Sequence, residues 1–138
     1  MSLRFPVHAA TLELSQARPD VFDARGTVDF LADRGFDTIV CFALGYLHGE
    51  TYYPSDVAPE RHGLDGRDLF GEVLAAARRR EMRMVAYVNS LFGGADAHEA
   101  HPDWTQRWAT GEETTQGETK GLCPNSPYGR RIQEACVE

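Results

Sequence analysis

Apolar positions along the chain follow two rhythms. Val7 to Leu14, in the stretch VHAATLEL, reads as a first strand. Val28, Leu31 and Ala32 then recur at helical spacing, and Gly35 stands where such a helix would stop. The run Ile39-Val40-Cys41-Phe42-Ala43 does not alternate with polar residues at all. Unbroken apolar runs mark strands buried on both faces, as in parallel sheets. RMVAYVN, residues 83–89, has the same character and predicts a third buried strand. Before it, Phe70, Val73, Leu74 and Ala77 form the stripe of the clearest helix, with Asp65 and Asp68 in a capping relation at its start. A last helix is expected from Pro127, with Ser126 as its cap and Tyr128, Ile132, Ala135 and Cys136 on one face.

The order is strand, helix, strand, helix, strand, long loop, helix. Repeated βα units imply a parallel sheet. A doubly wound nucleotide-binding sheet would want a glycine-rich turn after its first strand. Residues Leu12 to Asp20 hold no glycine. The predicted class is therefore α/β, the N-terminal portion, about three βα units, of a TIM (β/α)8 barrel. A full barrel takes about 250 residues, so 1–138 is expected to be a partial TIM-barrel domain that stops before strand four. Its open sheet edge would need cover, from the remainder of a barrel or from a second copy of the chain in a homo-oligomer.

Charge narrows the partners. The formal net charge is -7, and nucleic acid or an anionic membrane needs a basic face. Neither is expected as a partner. The one dense basic run, Arg78-Arg79-Arg80, falls at a helix C-terminus, where the dipole favours cations. No apolar run approaches the length of a membrane span. Three cysteines without framework spacing suit reduced thiols in a cytoplasmic protein.

Chemistry in a barrel sits in the loops after the strands. Glu13 and Gln16 follow the first strand, and Tyr46, His48, Glu50, Tyr52 and Tyr53 follow the second. Asn89, Ser90 and Phe92 follow the third. The loop from Ser90 to Asn125 carries Trp104 and Trp108, and TQRWATGEETTQ within it fits a hairpin turning at Thr110-Gly111. Exposed aromatics among carboxylates, Asn and His suit a carbohydrate, because rings pack on the C–H faces of sugars. Asp96, His98, Glu99 and His101 are ligand types for a metal, but no CxxC or HExxH accompanies them, so no metal and no cofactor is expected. Cys41 lies in an apolar strand, and Cys123 has no recognisable His partner. Glu13 and Glu50 could reach a pocket rim, but nothing in their spacing sets them face to face as glycoside cleavage requires.

Three stretches carry a family resemblance. They are FDTIVCFALGYLHGETYYPSDVAPERHGLDGRDLFGEVLAAARRR, with Gly49 to Ser55 inside it, RMVAYVNSLFGG, and HPDWTQRWATGE followed by LCPNSPYGRRI. Together they resemble the start of a family of barrel glycoside hydrolases, distant relatives of barrel beta-galactosidases and alpha-L-fucosidases. The resemblance implies an oligosaccharide or glycoside bound at the C-terminal face, with Tyr53, Asn89, Trp104 and Asn125 on the binding side. With Glu13, His48 and Tyr52 from the strand ends, these are the expected substrate-binding residues. The resemblance also implies catalytic carboxylates at or beyond the fourth strand, past residue 138, so this chain alone is expected to be inactive and no catalytic residue is assigned. A non-catalytic carbohydrate-binding barrel and a small α/β protein that dimerises through its open edges are the alternatives.

Overall fold

The computed structural model describes residues 8–45, 49–56, 58–93, 95–116 and 119–137. Strand β1 (Ala9–Leu12) leads to helix α1 (Ala24–Asp33), strand β2 (Thr38–Leu44), helix α2 (Leu69–Arg79) and strand β3 (Arg83–Val88). The three strands form one parallel sheet in the order β1-β2-β3. Ala9 to Leu12 pair with Thr38 to Cys41, and Thr38 to Phe42 pair with Arg83 to Tyr87.

Helices α1 and α2 begin, and α1 ends, where local chemistry directs. Asp23 caps α1 by accepting from Gly26 N at 2.8 Å, and Asp68 caps α2 by accepting from Gly71 N at 2.7 Å. The α2 cap is thus Asp68 itself, with Asp65 in the turn before it at φ 49°. Helix α1 closes with Gly35 at φ 82°, while Phe36 N donates to Leu31 O and Gly35 N to Ala32 O. That bond pattern needs a left-handed residue at its second position, which glycine adopts without a steric penalty.

The core lies between the helices and the middle strand. Val28 of α1, Ile39 and Cys41 of β2, and Leu69, Val73 and Ala77 of α2 are each at most 0% exposed. Burial pushes the Cys41 thiol up to about 12, so it acts as a small apolar side chain there. The two helices are also clamped by charge. Arg80 donates to Asp29 at 3.1 Å and pairs with Asp33, both on α1. The basic run at the end of α2 is therefore only partly a solvated helix end.

Strand β3 departs from the expectation of a third buried strand. Val85 is 51% exposed and Tyr87 38% exposed, whereas β2 is buried along nearly its whole length. The reason is position in the sheet. β2 has a hydrogen-bonded neighbour on each side, while β3 and β1 are edges among the described residues. Tyr87 still covers Phe42, ring centroids 4.3 Å apart.

Arg67 stitches the loop before α1 to α2. It donates to Phe22 O at 2.7 Å, to Pro19 O, and to both carboxylate oxygens of Glu72. Hydrogen bonds from Arg67 hold the Glu72 carboxyl below the usual carboxylate range. A depressed folded-state value means that the stability Glu72 contributes is present above the unfolded value, about 4.3, and is lost as pH falls through the folded one. Glu72→Gln should therefore lower the melting temperature at pH 7, and the gap to the parent chain should close as the pH is taken to about 3. Melting curves at both pH values check this; a gap that stays constant with pH would refute it.

The connection after β3 is folded, not open. Strands β4 (Phe92–Gly93), β5 (Thr115–Gln116) and β6 (Thr119–Gly121) make a small antiparallel sheet, order β4-β6-β5, with helix α3 (Ala95–Ala100) beside it. The expected hairpin is present. Gly111 turns at φ 89°, Gly111 N donates to Trp108 O, and Arg107 faces Glu113. Helix α4 (Pro127–Val137) follows, starting at the expected proline, but Ser126 does not cap it: its hydroxyl oxygen is buried without a hydrogen-bond partner among the described residues. The side chains of Ile132, Ala135 and Cys136 lie outside the described residues.

Candidate functional site

Parallel strands bring their C-terminal ends to one edge of the sheet, and the polar side chains gather there. Just past β1, Glu13 precedes a tight helical turn, Leu14–Gln16, and accepts from Ser15 Oγ at 2.5 Å. Past β2, residues 49–56 and 58–61 fold back onto the strand end. Thr51 bridges to Leu44 on one side and to Glu60 on the other. Gly45 N donates to Glu50 O at 2.7 Å, and Phe70 N ties Tyr52 O to the start of α2.

This fold-back drives Tyr52 into the interior. It is 1% exposed. A Cβ at Gly45 would lie 2.9 Å from the Tyr52 hydroxyl oxygen and 3.2 Å from Glu50 O. Only glycine leaves room for the phenol against the strand end. Burial pushes that phenol up to about 12; Arg61 pulls the other way, while the Glu50 and Glu13 carboxylates add to the rise. Tyr52 is thus a neutral hydrogen-bonding group at any ordinary pH.

Arg61 joins the two loops. Its guanidinium donates to Glu50 Oε2 at 3.1 Å and to Ser15 O at 3.2 Å. Its Nε is buried with no hydrogen-bond partner. A desolvated donor left unpaired costs stability, about 1–3 kcal/mol. Such groups concentrate where a site is built for something other than stability. Hydrogen bonds from Ser15 to Glu13 and from Arg61 to Glu50 and Ser15 O thus tie the loops after β1 and β2 into one polar cluster.

The other expected site residues fall in different places. Asn89 is 3% exposed, with its amide donating to Gly45 O and Phe92 O and its oxygen accepting from Leu91 N. It staples the end of β3 to the end of β2, beside the Tyr52 cluster. Tyr53 is half-buried, its ring 6.1 Å from Phe70 on α2. Asn125 is exposed in the turn before α4. His48 lies outside the described residues.

Trp104 is buried at 8% exposure, in contrast to the exposed aromatic expected for that loop. His101 stacks on it with centroids 3.6 Å apart and planes 12° from parallel. It packs in a second cluster with Leu44, Leu122 and Tyr128. Trp108 is the tryptophan that faces solvent, at 61% exposure. Sequence reasoning gave no role to Ser15 or Arg61. Arg61 sits in an unpatterned PERHG segment and reaches Ser15 across 46 positions of sequence, so no local signal marks it.

His98, a candidate ligand by type, has both ring nitrogens engaged. Nε2 donates to Lys120 O at 3.0 Å, which leaves Nδ1 to accept from the Thr105 hydroxyl. Among the described residues no three His, Cys, Asp or Glu side chains converge as a metal site would require. Among them, too, no helix is long and apolar enough to cross a membrane.

Residues 23–138 match the model of a family described as Hypothetical glycosyl hydrolase 6. No curated protein matches the chain. Among solved structures, the galactosidase domain of alpha-galactosidase-sucrose kinase is similar over 98% of this chain and 19% of its own, at 17% identity and a TM-score of 0.60. A GH36 alpha-galactosidase from Geobacillus stearothermophilus is similar over 96% of this chain and 19% of its own, at 14% identity and TM-score 0.59. An alpha-amylase from Lactobacillus plantarum is similar over 83% of this chain and 31% of its own, at 13% identity and TM-score 0.53. At these identities the likeness is one of fold, and the chain spans between 19% and 31% of those three proteins.

Proposed function

The chain belongs to the hypothetical glycosyl hydrolase 6 family, and from that premise we propose that it is the sugar-binding N-terminal part of a barrel glycosidase. The observation that carries this reading is the convergence of Glu13, Glu50, Tyr52 and Arg61 at the C-terminal ends of β1 and β2. In (β/α)8 barrels that edge is where substrate binds. The ligand is an oligosaccharide or glycoside. Glu50 and Glu13 accept from its hydroxyls, and Arg61 holds Glu50 in place.

Neither carboxylate is assigned the chemistry. Glu50 is tied to Arg61 at 3.1 Å, and among the described residues no second carboxylate is shown facing it across a space for a glycosidic bond. Glycosidic cleavage takes two carboxylates flanking the scissile bond, and both are proposed to lie beyond residue 138. On this reading residues 1–138 bind sugar and do not hydrolyse it. The exposed faces of Val85 and Tyr87 on the β3 edge are covered by the remainder of the barrel.

Calorimetric titration with maltopentaose, raffinose and lactose tests the reading. At least one should bind the chain, and Glu50→Gln should weaken that binding by about tenfold, 1.4 kcal/mol. The hydroxyl-accepting charge is lost while the side-chain shape is kept. Absence of binding by all three sugars, or an unchanged affinity in Glu50→Gln, would overturn it.

A further inference from the structure

The two tryptophans of this chain are built for opposite tasks. Trp104 is buried under His101, whereas Trp108 stands 61% exposed on a hairpin. That hairpin is held firmly. Trp108 N donates to Glu112 O at 2.8 Å, and Gly111 N donates to Trp108 O at 2.9 Å. Arg107 donates to Gly111 O at 3.0 Å and to Glu113 at 3.1 Å, and Lys120 of β6 pairs with Glu113 at 2.7 Å. The Glu113 carboxyl, drawn down by Lys120 and Arg107, stays ionised and keeps this brace intact.

The hairpin also has a fixed address. It belongs to the segment that leaves the C-terminal end of β3, the same edge that carries Glu13 and Tyr52. Leu122, just after β6, is fully buried against Leu44 and Val88, the last residues of β2 and β3, and its N–H donates to Leu91 O at 2.7 Å. The small sheet therefore sits on the end of the parallel sheet that the proposed site occupies.

We propose that Trp108 is an aromatic platform that receives the C–H face of a sugar ring. The inference rests on the saccharide reading above and extends it to a residue in a different element. The surroundings favour a sugar over a protein surface. Among the described residues of 102–116, Trp108 is the one exposed large apolar side chain, and its neighbours on the turn are Arg107, Thr110, Glu112 and Glu113. A protein interface presents its anchoring aromatic inside a wider desolvated patch. A lone flat ring rimmed by hydrogen-bonding groups matches a pyranose, which has an apolar face bounded by hydroxyls. Backbone order matters too, since a hairpin already folded and braced loses little freedom on binding.

The chain has two tryptophans, which makes emission a direct readout. Maltopentaose, raffinose and lactose are titrated into the parent chain and into Trp108→Phe and Trp108→Ala. In the parent, the sugar that binds by calorimetry should shift the emission to shorter wavelength. In Trp108→Phe, where Trp104 is the remaining indole, that shift should vanish while most affinity is retained through the smaller ring. Trp108→Ala should bind about tenfold more weakly, with a melting temperature close to that of the parent. If the parent binds sugar by calorimetry but Trp108→Ala binds it equally well, the platform is refuted and the saccharide reading stands. A large loss of melting temperature in Trp108→Ala would also refute it, by making Trp108 a packing residue. If none of the sugars binds the parent, both fall together.

Discussion

Trp104→Ala is expected to lower the stability of this chain by about 3–5 kcal/mol, the usual cost of removing a large aromatic from a packed interior. For a domain of this size that is a drop in melting temperature on the order of 10 °C or more. Trp104 is 8% exposed and packs with Leu44, Leu122 and Tyr128. It is also the partner of His101, stacked at 3.6 Å, and its carbonyl accepts from Cys123 N at 2.7 Å. The cluster it anchors is what fastens the small antiparallel sheet to the ends of β2 and β3. Its loss should therefore loosen the Trp108 hairpin as well. Chemical denaturation of Trp104→Ala measures the first effect, and hydrogen exchange at the amides of 105–122 measures the second. A stability within about 0.5 kcal/mol of the parent would mean that Trp104 is a surface residue and that the buried arrangement is wrong.

Ile39→Ala should cost about 2–5 kcal/mol, while Val85→Ala should cost less than about 1 kcal/mol. Both residues sit in apolar strands, and the registers place them one step apart, Ile39 against Met84 and Val40 against Val85. Their environments differ. Ile39 is 0% exposed between the sheet and the helices, so truncation leaves a cavity that its neighbours cannot fill. Val85 is 51% exposed, so truncation mainly removes surface already in contact with water. Urea denaturation of the two variants under one set of conditions gives the comparison. Equal losses would show that β3 is buried in solution, as a dimer through its open edge would make it. In that case the loss at Val85 should grow with protein concentration.

These three variants mark how far the sequence reaches. Periodicity located β2 and the two helices α1 and α2, because their apolar spacing and caps are local. Asp68 and Gly35 direct α2 and α1 through bonds to residues no more than four positions away. The turn at Gly111 was legible for the same reason. β3 was legible as a strand, but its burial was not. An apolar run reports that a strand suits burial on both faces; whether anything covers it depends on its neighbours in the sheet.

The candidate site divides along the same line. Glu13, Tyr52 and Asn89 could be read from the chain as residues that follow strands, since parallel strands deliver their C-terminal ends to one edge. Tyr52 meeting Gly45, Arg61 reaching Ser15 O across 46 positions, and the burial of Trp104 against the exposure of Trp108 required the folded chain. The sequence by itself determined the βα order, the starts of α1 and α2 and the class of residue available at the strand ends, because each depends on interactions within a few positions. Tertiary structure alone decided which of those residues meet, which are solvent-facing and which serve the core. Those outcomes turn on long-range packing, where one side chain's exposure is set by segments that share no local pattern with it.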